Sequence, residues 1–315
     1  MHALVTGVAG FIGSHVAEAL IARGDRVTGV DCFLDYYPRA VKERNLAGLR
    51  AAKQFAMVEA DLASAPLEPL VGPVDAVLHL AAQAGVRASW GRDFKVYADS
   101  NVLATQRLLE ACAPGKKRLV YSSSSSIYGD APDLPTVEST LPQPISPYGV
   151  TKLAGEHLCR LYTHSAAVPT IALRYFTVYG PRQRPDMAFH RFVRAQLTGE
   201  EITVYDDGEQ TRDFTFVGDA VQANLLALER GTPGAAYNIG GGSRVTLKQV
   251  LALIAEISGR PPRVRHAERQ RGDVRDTHAS TERARRELGW SPRTAIAQGL
   301  AAETEWLRGE LDGGR

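Results

Sequence analysis

The segment Thr6-Gly-Val-Ala-Gly-Phe-Ile-Gly13 joins a short apolar run to a helical pattern and starts a rhythm that continues through the first half of the chain. Glycine permits a tight turn and lets a helix begin close to the end of a strand. Strand-like runs over 3–6, 26–30, 55–59, 76–80, 118–122 and 170–174 alternate with helical patterns near 12–23, 41–52, 93–113 and 147–165. Such alternation buries its strands best in a parallel sheet with helices on both faces. The expected fold class is α/β: a doubly wound parallel sheet over residues 1–175, followed by a smaller mixed α/β domain over 176–315. After Gly180-Pro-Arg the rhythm changes. Helices near 187–199, 217–230 and 246–258 and short strands near 202–205 and 237–239 follow, then a tail from 262 richer in Arg. Some of these later segments are expected to pack back on the first domain.

Ligands of such sheets bind beyond the carboxyl ends of the strands. Gly7, Asp31, Asp61, Ala81 and Ser124 all fall there. The GxxGxxG spacing of Gly7, Gly10 and Gly13 also suits an ordinary strand–helix turn. Its context points instead to a Rossmann-type dinucleotide site, with the pyrophosphate at the helix N-terminus. Gly7, Gly10, Phe11, Ile12 and Gly13 are therefore cofactor-binding candidates. Asp31 could hold both ribose hydroxyls and repel a 2′-phosphate, which favours NAD over NADP; its other use would be to cap a turn. Asp61 and Leu62 end the third strand, where they could meet the adenine or form a turn.

Tyr148-Gly-Val-Thr-Lys152 places a phenol and an ammonium on one helix face. A neighbouring ammonium favours the phenolate and lowers the phenol's pKa. The phenolate can then take a proton from a hydroxyl at neutral pH. With a dinucleotide beside it, this pair predicts hydride chemistry at an alcohol carbon.

The bulk properties exclude several other classes. A formal net charge of +2 argues against nucleic acid as the main partner. No apolar stretch approaches the ~20 residues of a membrane span. The chain opens directly on a strand-like run, without a signal-peptide pattern, so a cytoplasmic protein is expected. Cys32, Cys112 and Cys159 are odd in number and widely spaced, which suits reduced thiols rather than a disulfide framework or a metal site. The His residues show no ligand spacing, and Asp206-Asp207-Gly208 reads as a turn. No metal is expected.

The chain resembles the extended short-chain dehydrogenases, the NAD-dependent sugar-nucleotide epimerases and dehydratases. The resemblance runs from Thr6 to about Thr277. It rests on the glycine segment, His79-Leu-Ala-Ala82, Asn101, the serines 122–124 with Ile127-Tyr-Gly129, and the Tyr148 and Lys152 pair. Arg174-Tyr-Phe176, Gln210-Thr-Arg-Asp-Phe214 and Arg271-Gly-Asp273 complete it. It implies that Tyr148 is base and acid at a sugar 4-hydroxyl and that Lys152 tunes it and holds the nicotinamide ribose. Ser124, with Ser125 and Ser126 nearby, would hydrogen-bond the reacting oxygen. Ala81 and Asn101 join the cofactor-binding set.

Three stretches are similar to UDP-glucuronate 4-epimerases: Asp31-Cys-Phe-Leu-Asp-Tyr-Tyr-Pro38, Ala81-Ala-Gln-Ala-Gly-Val-Arg87, and Arg174 through Thr177 and Arg184 to Met187. The second is shared with UDP-glucuronate decarboxylases. Galactose-type epimerases usually carry Asn where Thr177 stands. Dehydratases of the family carry Asp-Glu at the positions of Ser125 and Ser126, and decarboxylases a Glu at the second. A serine cannot serve as a carboxylate acid or base. The resemblance therefore implies NAD-dependent conversion of UDP-glucuronate to UDP-galacturonate through a transient 4-keto sugar. A neutral UDP-hexose epimerase and a UDP-glucuronate decarboxylase remain as alternatives, and a non-catalytic NAD-sensing module as a distant one. The resemblance places Arg212 and Arg271 at the diphosphate, Asp273 at the uridine ribose, and Thr203 and Tyr205 along the uracil. Thr177, Arg184 and Ser126 are candidates to grip the carboxylate. Arg87 and Arg191 are candidates for the substrate or plain surface residues. The family often pairs helices like 93–113 and 147–165 across a dimer axis, so a homodimer is expected; core packing alone would also explain their apolar stripes.

Overall fold

Seven short runs rich in Val, Leu, Ile and Ala form one sheet. They are β1 His2–Thr6, β2 Arg26–Asp31, β3 Phe55–Glu59, β4 Ala76–His79, β5 Arg118–Ser124, β6 Thr170–Tyr175 and β7 Ala236–Ile239. Their spatial order is β7-β6-β5-β4-β1-β2-β3, and every pairing is parallel. The computed structural model describes residues 1–268, 272 and 274–313.

Successive side chains of a strand point to opposite faces, and both faces are covered. Ala3, Val5, Leu78 and Val120 enter one core with residues of helices Phe11–Ala22 and Val217–Arg230. Leu4, Val77, Leu119 and Tyr121 enter the other, against Leu108, Leu109 and Cys159. Each such Leu or Val favours the folded state by about 1.5–3 kcal/mol relative to full exposure. The strand order reverses between β1 and β4, so the loops that leave them part and open a crevice. The doubly wound parallel sheet expected from the alternation is present.

The chain beyond 176 divides. Helix Val217–Arg230 and β7 belong to the sheet, where β7 pairs with β6. The rest builds a cap around Phe189, Val193, Val250, Ile254 and Leu300. Its strands pair Ile202–Tyr205 with Val264–Ala267 and Thr211–Asp213 with Arg244–Thr246.

Two elements differ from the sequence expectation. The helix expected over 93–113 is broken into Phe94–Tyr97, a π-helical turn Ala98–Leu103 and Ala104–Cys112. A π turn inserts a residue into the helix, and here it turns Asn101 inward. The tail holds helices Glu282–Leu288 and Ile296–Gly313, which the sequence reading left unassigned. Buried positions of the second include Gly299, Glu303 and Thr304, so its apolar stripe is interrupted.

Glu303 Oε2 accepts the Gly180 N–H at 2.9 Å, and Oε1 has no hydrogen-bond partner among the described residues. Burial pushes this carboxyl from 4.5 up to about 8. The folded chain then keeps a proton that the unfolded chain releases, so this group's stabilisation is lost as pH rises from 4.5 to about 8. Glu303→Gln is expected to remove that slope. By calorimetry, its Tm should fall several degrees less than the parent's between pH 5 and pH 8; equal falls would refute the buried neutral carboxyl.

Candidate active site

The glycine turn after β1 is a cradle that side chains would fill. Gly7 has φ +69°, and a Cβ there would stand 2.7 Å from the Ala81 nitrogen. A Cβ on Gly13 would stand 2.1 Å from the Gly7 oxygen. Asp31 ends β2 beside this turn and accepts the N–H groups of Ala9 at 3.1 Å and Phe33 at 2.8 Å. Lys42 Nζ lies 3.8 Å away. Burial raises the Asp31 pKa against the pull of Lys42 and the two N–H groups.

One pocket takes in Gly7, Gly10, Phe11, Ile12, Gly13, Asp31, Asp61, Leu62 and Ala81, and continues to Tyr148, Lys152 and Arg184. Sequence reasoning missed several of its walls: Tyr36, Tyr37, Lys42, Gln83, Ser122 and Ser123. Lys42 carried a signal, as a basic residue on the helix that follows the Asp31 strand. The two tyrosines lie inside a quoted motif, yet nothing local gave them a role.

Asn101 stands behind the pocket wall. Its Nδ2 donates to the Gln83 oxygen at 3.0 Å and to Thr151 Oγ1 at 2.9 Å, and its Oδ1 accepts the Gln83 N–H at 2.7 Å. It thus clamps the loop after β4 to the helix that bears Tyr148. A second chain runs below it. Thr105 Oγ1 donates to the Asn101 oxygen at 2.7 Å, so it must accept from His79 Nε2–H at 3.0 Å. That leaves His79 Nδ1 to accept from Thr6 Oγ1 at 2.8 Å. Burial, with the Lys152 charge, lowers this imidazole to about 3, so it stays neutral.

Tyr148 lies in the first turn of helix Pro147–Ala166. Ser146 caps that helix by accepting the Gly149 N–H at 3.1 Å, and Pro147 presets its first φ. Lys152 follows one turn later, 4% exposed, and its Nζ donates to the Ser122 oxygen at 2.8 Å. The Ser124 hydroxyl pulls the Tyr148 phenol's pKa down. Ser124 Oγ also accepts the Ser126 N–H at 3.1 Å and so starts the tight turn Ser125–Ile127. The expected lowering of the phenol by Lys152 is corrected here. Burial holds the Tyr148 pKa above its usual value, against the Ser124 bond and the Arg184 charge. Lys152 is itself pushed down to about 8 by burial, and its ammonium is turned to a carbonyl.

Arg184 reaches this pocket from a loop tied down on several sides. His15 Nε2 bonds the Pro181 oxygen at 2.9 Å, and Arg182 donates to Ser14 at 3.2 Å and to Glu18 at 2.7 Å. Gln183 Nε2 donates to the Val178 oxygen at 3.1 Å. Thr177 is half-buried just before Val178 and is not on the pocket wall. Arg87 lies over the Tyr205 ring, 4.3 Å from its centre. Thr203 accepts from Arg265 at 3.3 Å. Arg212 donates to the carbonyl oxygens of Thr211 at 2.9 Å, Arg275 at 2.7 Å and Val274, so it holds down the segment that follows residue 273. Arg191 is exposed on helix Ala188–Thr198. Arg271 and Asp273 lie outside the described residues.

Residues 3–240 match the model of the NAD dependent epimerase/dehydratase family. The chain belongs to that family. A Bacillus subtilis relative, named as an uncharacterised UDP-glucose epimerase, YtcB, is 43% identical over 312 residues, covering 98% of each chain. A solved UDP-glucuronic acid 4-epimerase from Bacillus cereus, in complex with UDP-glucuronic acid and NAD, is 40% identical. Its TM-score is 0.95, with 98% of this chain and 99% of that one covered. MoeE5, solved with UDP-glucuronic acid and NAD, is 42% identical with a TM-score of 0.89, over 98% of this chain and all of that one (100%).

NAD is the cofactor of this epimerase/dehydratase family member, and the pocket fits it. The backbone cradle at Gly7 and Gly13 leaves room for a pyrophosphate where side chains would collide. A buried carboxylate at Asp31 suits ribose hydroxyls. Among the described residues no group of three or more His, Cys, Asp and Glu could hold a metal, and no helix is long and apolar enough to cross a membrane.

Proposed function

We propose that the chain is a UDP-glucuronate 4-epimerase. One observation carries this reading: the Arg184 guanidinium shares a pocket with Tyr148 and Lys152. A hydroxyl to be deprotonated and a carboxylate to be held then belong on one sugar. Relatives named for UDP-glucose and for UDP-glucuronic acid are both at hand; the arginine favours the acid.

Tyr148 takes the proton of the sugar 4-hydroxyl, and Ser124 steadies the oxygen. Lys152, on the same pocket wall, anchors the helix turn to the Ser122 oxygen and is positioned to hold the nicotinamide ribose. NAD, when bound, accepts the C4 hydrogen as hydride and gives it back. The 4-keto sugar turns over about its phosphate linkage, and Tyr148 returns the proton to the other face. That ketone is a β-keto acid, which loses CO₂ readily when its C–C bond aligns with the carbonyl. Arg184 fixes the carboxylate plane and prevents the alignment; Thr177 and Ser126 are not on the pocket wall and take no part in that grip. Arg212 and Arg271 serve the diphosphate, Asp273 the uridine ribose, and Thr203 and Tyr205, with Arg87 stacked on Tyr205, the uracil. Exposed Leu103, Val150 and Leu161 on two neighbouring helices support a homodimer, and the enzyme is assigned to the cytoplasm.

The test is incubation of the purified protein with UDP-glucuronate, without added cofactor, followed by NMR and mass spectrometry. UDP-galacturonate of unchanged mass is expected. A product lighter by CO₂ would reassign the protein as a decarboxylase. Turnover of UDP-glucose alone would reassign it to the neutral-sugar epimerases.

A further inference from the structure

Arg184 has an anionic partner within the protein itself. Its Nε and one NH2 group donate to Asp186 Oδ1 and Oδ2, each at 3.0 Å. A guanidinium has five N–H donors, so the far edge retains enough to hold a second oxygen pair. The Tyr36 hydroxyl donates to Asp186 Oδ2 at 3.2 Å, and the guanidinium carbon lies 5.8 Å from the Tyr36 ring centre. Arg184, Tyr36 and Tyr148 line the pocket, whereas Asp186 is not on its wall. Arg184 is 20% exposed and Asp186 37%. The carboxylate thus backs the arginine from outside the sugar's space.

We propose that Asp186 sets the sugar specificity of this pocket: it balances Arg184 so that a neutral UDP-hexose is epimerised as well as the uronate. The inference rests on the 4-epimerase reading and widens its substrate class. A lone, partly buried guanidinium would disfavour a hydroxymethyl group, because a desolvated charge without a counter-ion is costly. The Arg184–Asp186 pair is neutral as a unit. Its remaining N–H donors can bond a C6 hydroxyl without leaving the charge uncompensated. The same pair holds a substrate carboxylate less tightly than a lone arginine would, since two anions then share one cation. The preference for acid over neutral sugar is therefore compressed.

Asp186→Asn tests this in the NAD-loaded protein. Binding of UDP-glucuronate and UDP-glucose is measured by calorimetry, and turnover of each by NMR. The parent protein is expected to epimerise both. In Asp186→Asn, the ratio of the UDP-glucose Kd to the UDP-glucuronate Kd is expected to rise about tenfold or more. Tyr36→Phe, which removes one bond to the carboxylate, should move the ratio the same way by less. An Asp186 that only shapes the loop would weaken both ligands together. An unchanged or lowered ratio overturns the proposal, as does a parent that leaves UDP-glucose untouched while converting UDP-glucuronate. If the ratio shifts as expected but neither sugar is turned over, the role of Asp186 in binding stands and the epimerase reading falls.

Discussion

Replacing Tyr148 with phenylalanine is expected to lower kcat on UDP-glucuronate by about 10³-fold while NAD and substrate still bind. The substitution removes one oxygen. The ring stays wedged at the start of its helix, 6.3 Å from the Tyr97 ring in an edge-to-face contact that phenylalanine preserves. Ser146 still caps the helix, and Lys152 still donates to the Ser122 oxygen. What disappears is the acid–base oxygen whose pKa Ser124 and Arg184 pull down. An interaction used only in the transition state lowers kcat and kcat/KM alike. Initial rates by NMR, with NAD content read by absorbance, check this. A variant that keeps its NAD and more than about a tenth of the parental rate would show that the hydroxyl is not the proton carrier.

The largest effect on stability is expected at Glu156. Its carboxylate takes Arg174 Nε at 3.0 Å and an NH2 group at 2.9 Å, and both side chains are 9% exposed. The other arm of Arg174 donates to the Tyr128 hydroxyl at 2.6 Å and the Glu138 oxygen at 2.9 Å, and Tyr128 donates to Asn238 at 2.7 Å. Ser123, on the pocket wall, donates to the same carboxylate. Glu156→Ala strands a cation inside this network and should destabilise the protein by about 3–5 kcal/mol in urea unfolding. Adding Arg174→Met removes the stranded charge and should recover most of that loss. A double variant as unstable as the single one would mean that packing, not charge, is at stake.

Much of this was legible in the sequence, for reasons that can be traced to particular residues. The sheet strands before residue 176 were read to within one or two residues because apolar runs and glycines recur at the right spacing, and Tyr148 and Lys152 were found because four residues make one helical turn. The π turn at Asn101 left no signal, and the residues that Asn101 bonds there, Gln83 and Thr151, are both distant in sequence. Helix Ile296–Gly313 hid behind buried Glu303 and Thr304. The direction of the Tyr148 shift was misread because burial depends on the whole fold, whereas spacing shows only neighbours. Tyr36 and Asp186 lie inside stretches similar to the epimerases, yet the sequence gives them no role, for their bond spans 150 residues.

The loop that carries Arg184 is stitched to helix Phe11–Ala22 by His15, Ser14 and Glu18, and to the cap by Glu303. Its opening is therefore coupled to both. A fluctuation that frees it must also fray the helix whose first turn faces the cofactor, or lift the C-terminal helix from the cap. The arginine is thus held with the cooperativity of the domain core, and a pocket in which a reactive ketone must turn over without losing CO₂ owes the rigidity of its wall to parts that never touch the sugar.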